Sequence, residues 1–76
     1  MRFVDWQGRP AAVCGSRAWA VLSAGPGWTE VDAAEVVAAG RPTSAEDLGD
    51  RYLEALQGAG GFDALTRLAA DDACEG

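Results

Sequence analysis

Apolar and polar residues alternate through the first part of the chain, with the two-residue period that is typical of β-strands. Short clusters of glycine and polar residues interrupt the alternation, among them Gly15-Ser16, which fits a two-residue type II′ hairpin turn. Strands that follow one another this closely predict a meander of three or four antiparallel strands. The predicted strands are residues 3–6, 11–14, 17–23 and 28–31.

From residue 31 onward the apolar residues recur with the longer period of amphipathic helices. Asp32 has the position of an N-terminal cap, and Gly40 followed by an Arg-Pro pair is typical of a helix end. Thr43 or Ser44 then stands where the cap of a second helix is expected. The pattern predicts two capped helices joined by a tight turn.

The second helix is predicted to end near Leu56 and to bury one stripe of side chains spaced by three or four residues. Leu53 lies beside this stripe, so we expect it in the hydrophobic core. A third helix follows a glycine-rich break at residues 58–61. The stripe of the second helix consists of Ala45, Leu48, Tyr52, Leu53 and Leu56, and that of the third consists of Phe62, Leu65, Leu68 and Ala69.

The order of the elements indicates the fold class. Strands that precede a set of helices are typical of α+β proteins, and a small antiparallel β-meander of three or four strands followed by two or three helices is winged-helix-like. The chain has 76 residues, the length of one domain. We predict a single domain, with a β-meander over 1–31, a helical part over 32–71 and an acidic tail over 72–76.

Charge differs between the two parts of the chain. Residues 1–31 carry three arginines and two carboxylates, a net charge of +1, whereas residues 32–76 carry three arginines and ten carboxylates, a net charge of −7. The acidic part would repel a phosphate backbone, which argues against direct nucleic-acid binding. It suits a basic protein surface, and it also favours solubility.

Residue types exclude most catalytic arrangements. The chain has neither histidine nor lysine, so Ser–His and Cys–His dyads, Schiff-base chemistry and a P-loop lysine are excluded. The carboxylates Asp71, Asp72 and Glu75 lack the spacing of an EF-hand loop and fit an acidic tail better. We predict a protein that is not an enzyme and that uses no cofactor and no metal ion.

Cys14 and Cys74 are the only cysteines, and they do not form a C-x-x-C motif. We expect both to be free thiols in a reducing compartment; the alternative is one disulfide that ties the C-terminal tail to the sheet. The sequence shows neither a signal peptide nor an apolar segment of membrane-spanning length. The expected location is therefore cytoplasmic, without membrane association.

Three tryptophans, Trp6, Trp19 and Trp28, lie in three different predicted strands. We expect them to share one sheet face, where they would pack against the helices and form the core. A tryptophan that faced outward instead would be an anchor for a partner, since this residue is enriched among interface hot spots. The opposite sheet face would carry mostly small residues and is a candidate surface for a partner or for a homodimer.

These observations favour a small acidic interaction module, an adaptor or regulatory protein of a bacterium or phage, with a protein or peptide as its partner. The candidate partner-binding residues are Arg17, Trp19 and Trp28 on the sheet and Glu46, Asp47, Asp50 and Glu54 on the second helix.

Two alternative functions remain. Residues 34–48, with Gly40-Arg41-Pro42-Thr43 between two helical runs, resemble the helix–turn–helix passage of the PqqD-like peptide-recognition domains. This resemblance implies a leader peptide that adds as a strand to the sheet edge. The other alternative is an acidic decoy that inhibits a basic nucleic-acid-binding protein, which would need carboxylates spaced regularly along one exposed surface.

Overall fold

A computed structural model describes residues 1–22 and 27–70, which form a five-stranded antiparallel sheet and four helices. The fold belongs to the α+β class, as predicted. The acidic tail predicted over 72–76 lies outside the described residues, as does Cys74. In chain order the elements are β1 (Arg2–Trp6), β2 (Arg9–Cys14), β3 (Arg17–Val21), β4 (Trp28–Val31), α1 (Ala33–Ala39), β5 (Arg41–Thr43), α2 (Ala45–Arg51), α3 (Leu53–Gly58) and α4 (Gly61–Leu68).

The first four strands form the predicted meander, in which each strand pairs antiparallel with the next. The β1–β2 turn has φ values of 53° at Gln7 and 76° at Gly8, the two positive values that a type I′ turn requires. In the β2–β3 turn, Gly15 has a φ of 61° at the position where a type II′ turn needs glycine. Both turns have a twist that matches the twist of the strands they join.

The segment between α1 and α2 departs from the prediction. Arg41–Thr43 is not a tight turn but the strand β5, which pairs antiparallel with β1. The strand order is therefore β4-β3-β2-β1-β5. Pro42 has no backbone N–H to donate. It is tolerated in β5 because one side of an edge strand faces away from the sheet, where no N–H is needed.

The insertion of β5 places α1 and α2 on opposite faces of the sheet. Val36 of α1 packs on the face that carries Val4, whereas Arg51 of α2 bonds to Asp5 on the other face. The two helices therefore do not form the packed pair of a helix–turn–helix unit. The predicted resemblance to a winged-helix domain is not confirmed.

Gly40 ends α1 for a reason that differs from the usual one. Its φ is −84°, so the left-handed conformation that commonly selects glycine after a helix is absent here. A Cβ atom at this position would instead clash with Cγ1 of Val4 and lie 2.5 Å from the carbonyl oxygen of Val36. Glycine is needed because α1 ends in direct contact with β1.

Each face of the sheet has its own hydrophobic cluster, the first under α1 and the second under α4. Trp6 belongs to the first cluster, whereas Trp19 and Trp28 belong to the second. The prediction that all three tryptophans share one face is therefore wrong. The register gives the reason, because Phe3, Ala12 and Trp19 form one cross-strand row. Trp6 is an odd number of positions from Phe3 and so points to the opposite face.

The alanine-rich face of the sheet is not an open surface. Ala11, Ala18 and Ala20 are 0% exposed and pack with Trp6 against Val36 of α1. Their small side chains allow the helix to approach the sheet closely. This face is closed to the partner or second copy that the sequence suggested.

The second predicted helix is broken at Tyr52, whose φ of −124° and ψ of 37° are not helical. The break divides it into α2 and α3 and changes which side chains face the sheet. Leu48 and Leu56 are buried as predicted, but Leu53 is 56% exposed, so its prediction as a core residue is wrong. Leu68, which was also predicted in a buried stripe, is 46% exposed.

Side chains cap the first two helices at the predicted positions. Asp32 Oδ1 accepts from the backbone N–H of Ala34 at 3.0 Å, and Ser44 Oγ accepts from that of Asp47 at 3.2 Å. Across the two described ranges, no helix combines the length and the apolar character that crossing a membrane requires.

Cys14, the last residue of β2, is disulfide-bonded and 2% exposed. The prediction of a free thiol at this position is therefore wrong. The bond also removes the cysteine-based argument for a reducing compartment.

Leu48→Ala should lower the free energy of unfolding by about 2–5 kcal/mol, because the Leu48 side chain is fully buried and its removal leaves a cavity. Leu53→Ala, the matched control in the adjoining helix, should change it by less than about 0.5 kcal/mol. Urea denaturation of both variants gives the two values. An equal loss in both would contradict the helix faces described above.

Cys14 should resist alkylation by iodoacetamide in denaturant without reductant, because a disulfide-bonded sulfur has no nucleophilic thiolate. Denaturant is needed because burial alone would protect the residue in the folded protein. Prior reduction should allow full modification, read by mass spectrometry of the peptide that contains Cys14. Modification before reduction would show that the bond is absent.

Candidate protein-binding site

The two edge strands of the sheet differ in what they offer a partner. β5 has three residues, one of which is Pro42, whereas the four residues of β4 include no proline. Within residues 1–22 and 27–70, β4 pairs with β3 alone. One side of its backbone therefore presents N–H and C=O groups without a strand partner, which makes it a template for another extended chain.

A charged pair spans β3 and β4 beside this edge. Arg17 donates from Nε and Nη2 to the two carboxylate oxygens of Glu30, each at 2.9 Å, in the bidentate geometry. Its guanidinium also lies 4.9 Å from the centroid of the Trp19 ring. The hydrogen bond from Arg17 holds the pKa of Glu30 below its ordinary value. The pair is exposed, so it orients the two side chains more than it stabilises the fold.

Trp28 begins β4 and is partly buried. Its Nε1 donates to the carbonyl oxygen of Gly61 at 3.0 Å, and its ring lies against that of Phe62 with centroids 6.3 Å apart. Phe62 in turn packs edge-on against Phe3 at 5.2 Å. The start of α4 thus fixes the orientation of Trp28, while part of the residue stays exposed at the end of the open edge.

The structure brings three of the predicted partner-binding residues together at this side of the sheet. Arg17 and Trp28 lie at the surface, but Trp19 is 2% exposed, so it supports Arg17 from within the core. Glu30 completes the group and was not predicted. Its pairing with Arg17 depends on the register of β3 against β4, which the sequence pattern does not give.

The four predicted carboxylates of the second helix are of two kinds. Asp47 has an internal role, because its Oδ2 accepts from Thr43 Oγ1 at 2.8 Å and lies 3.3 Å from Arg51 Nε. The other three are exposed and, in the described part of the chain, form no hydrogen bond or ion pair. These three are Glu46, Asp50 and Glu54.

A polar network that the sequence did not indicate joins β1 to the helices. Asp5 accepts a hydrogen bond from the Tyr52 hydroxyl at 2.8 Å and pairs with Arg51 at 3.1 Å. This hydrogen bond to Asp5 raises the pKa of Tyr52, since it favours the neutral phenol. The partners are 46 and 47 positions apart in the chain, so no local pattern could have revealed them. The network fixes the break between α2 and α3 on the sheet.

A cleft with a volume of about 640 Å³ lies between the β1–β2 turn and α3. Two of its polar residues are already engaged, since Arg9 lies over the Trp6 ring at 6.0 Å and Tyr52 donates to Asp5. Over the described ranges, no three or more residues of the kinds that bind metal ions lie close enough to form a site.

Comparison with models of protein families, with curated proteins and with solved structures gives no match for this chain. The open edge of β4 with Arg17, Trp28 and Glu30 beside it is the most specific arrangement that the residues offer.

Tyr52→Phe should lower the free energy of unfolding by roughly 1 kcal/mol at neutral pH, because Asp5 loses a hydrogen-bond donor. The raised pKa of Tyr52 means that this stabilisation is present below the ordinary value of 10.0 and is lost as the pH rises through the folded-state value. The difference between wild type and variant should therefore shrink as the pH rises beyond 10.0. Chemical denaturation across this range measures it, and a difference independent of pH would contradict the assignment.

Proposed function

We propose that this chain is a non-enzymatic protein-interaction module that binds an extended segment of a partner protein along β4. The observation that supports the proposal best is the open edge of β4 next to the partly exposed Trp28. In strand addition, main-chain hydrogen bonds provide affinity and alternate side chains provide specificity. The proposal combines an adaptor role with the binding mode of a peptide-recognition domain.

An added segment would place its side chains alternately on the two faces of the sheet. On one face they would lie beside Trp28 and Glu30, and on the other beside Thr29 and Val31. Trp28 offers an apolar surface that is already held in place by α4, so little conformational entropy is lost when a partner contacts it. We therefore expect the partner segment to carry an apolar side chain next to Trp28.

The other edge of the sheet is less suited to the same role. β5 is one residue shorter than β4, and Pro42 lacks a backbone N–H. A segment added there would form fewer main-chain hydrogen bonds. Proline in an edge strand is also a common protection against unwanted pairing.

The cytoplasmic location expected from the sequence remains a prediction. The disulfide at Cys14 weighs against it, because disulfides persist mainly in oxidising compartments. We favour an oxidising compartment, which the partner would share.

The exposed carboxylates of α2 and α3 favour an acidic decoy as the second candidate function. Glu46, Asp50 and Glu54 follow one another at four-residue spacing, which places side chains on one face of a continuous helix. The break at Tyr52 interrupts that face between Asp50 and Glu54. Because the row is not regular, we rank the decoy below strand addition.

Proline at two adjacent positions of β4 tests strand addition. Successive backbone N–H groups of a strand point to opposite sides. One of the two variants Thr29→Pro and Glu30→Pro therefore removes an N–H that bonds to β3, and the other removes an N–H that points away from the sheet. Thermal unfolding identifies the variant that keeps the wild-type stability. That variant should bind peptides selected from a random-peptide display library about tenfold or more weakly than wild type, because outward main-chain bonds are lost.

Alanine variants at the same two positions are the matched controls, since they remove the side chains and keep the N–H groups. A triple variant, Glu46→Gln with Asp50→Asn and Glu54→Gln, should keep peptide binding. If the triple variant loses binding and the stable proline variant does not, strand addition is wrong and the acidic surface is the binding site.

A further inference from the structure

We propose that, when no partner is bound, β4 pairs antiparallel with β4 of a second copy of this chain across a twofold axis at Thr29. This inference rests on the proposed function, because both use the open edge of β4. It adds a form of regulation, in which the second copy covers the edge and the partner segment must displace it.

Strand geometry limits how two copies of β4 can pair. Residues directly opposite each other in an antiparallel pair point to the same face of the sheet. In β4, Trp28 and Glu30 point to one face, and Thr29 and Val31 point to the other. The twofold axis must therefore lie at one residue, which is then directly opposite the same residue of the second copy. It cannot lie midway between Thr29 and Glu30, because these two residues would then be opposite each other although they point to different faces.

Charge selects between the two registers that keep most of β4 paired. An axis at Glu30 would set two carboxylates directly opposite each other, which destabilises a strand pair. An axis at Thr29 sets two threonines opposite each other, a favourable pair in antiparallel sheets. Thr29 is exposed, so its side chain does not have to leave the core to make this contact.

The register at Thr29 also gives Trp28 a complementary neighbour. Trp28 would lie opposite Glu30 of the second copy, whose carboxylate is held by Arg17 of that copy at 2.9 Å. The guanidinium already lies over one indole ring, that of Trp19. Its approach to a second indole adds a favourable cation–π contact. The same arrangement occurs twice, once on each side of the axis.

The extent of β4 sets the strength of this association. A four-residue strand pair buries less than the roughly 1,200–2,000 Å² of a stable protein interface. We expect a dimer that forms only at high protein concentration. A peptide that competes for the edge should then show an apparent affinity that falls as the protein concentration rises.

Cysteine cross-linking tests the register. With the axis at Thr29, Thr29→Cys brings two Cα atoms to roughly 4.5–5.5 Å, a separation that a disulfide spans. Val31→Cys is the matched control, because it keeps the Glu30 carboxylate and its two copies lie four residues apart along the strands, roughly 13 Å and beyond that reach. After mild oxidation of concentrated protein, Thr29→Cys should give several-fold more covalent dimer than Val31→Cys on a non-reducing gel.

Two further measurements complete the test. Peptide mapping should place the link between the substituted positions and leave the Cys14 bond intact. Sedimentation of the unsubstituted protein should show monomer giving way to dimer as concentration rises. As much dimer from Val31→Cys as from Thr29→Cys would overturn the Thr29 register, and a wild type that stays monomeric throughout would overturn self-pairing.

Peptide binding by dilute wild-type protein separates this inference from the proposed function. If peptides bind and no dimer forms, self-pairing is wrong and the proposed function stands. If the dimer forms with the Thr29 register and no peptide binds, the edge serves self-association alone and the proposed function is wrong.

Discussion

Strand β5 pairs with β1, and this pairing makes β1 an interior strand with a neighbour on each side. Because α1 precedes β5 and α2 follows it, the chain passes from one face of the sheet to the other at this strand. Both faces are thereby covered and two separate clusters form. Gly40 stands at the crossing, where no larger residue fits between α1 and β1. The edge opposite β5 is left to β4, the strand at which we propose that a partner binds.

The strands could be predicted because their determinants are local. The alternation of side chains along a strand places Val4 and Trp6 on one face of the sheet. Each hairpin turn, with its positive φ values, is specified by two adjacent residues. β5 could not be predicted in the same way. Three residues with a central proline are too few to show an alternation of apolar and polar residues, and they become a strand only by pairing with β1. The break at Tyr52 was also missed, because neither glycine nor proline marks it and its stabilising contact is with the distant Asp5.

The candidate site shows the same limit. Residue type indicates Trp28 as an anchor for a partner, and the structure places it at the edge strand β4. Residue type indicates Trp19 equally, but Trp19 lies in the core, because the strand register decides which face each side chain occupies. Nothing in the local sequence indicates Glu30, because its position is fixed by Arg17, 13 residues away on the neighbouring strand. Whether a strand lies at the edge of a sheet depends on the order of the strands in the sheet. No single stretch of the sequence specifies that order.

Helix α1 covers one face of the sheet through a single fully buried side chain, that of Val36. Of its seven residues Val36 is the one that is buried, and Val37 is 56% exposed. A helix this short is unstable alone in water, so it persists only while docked. Short docked segments of this kind commonly open at a lower free energy than the whole domain. Local opening of α1 would expose the alanine-rich face of the sheet, which the folded helix keeps from solvent.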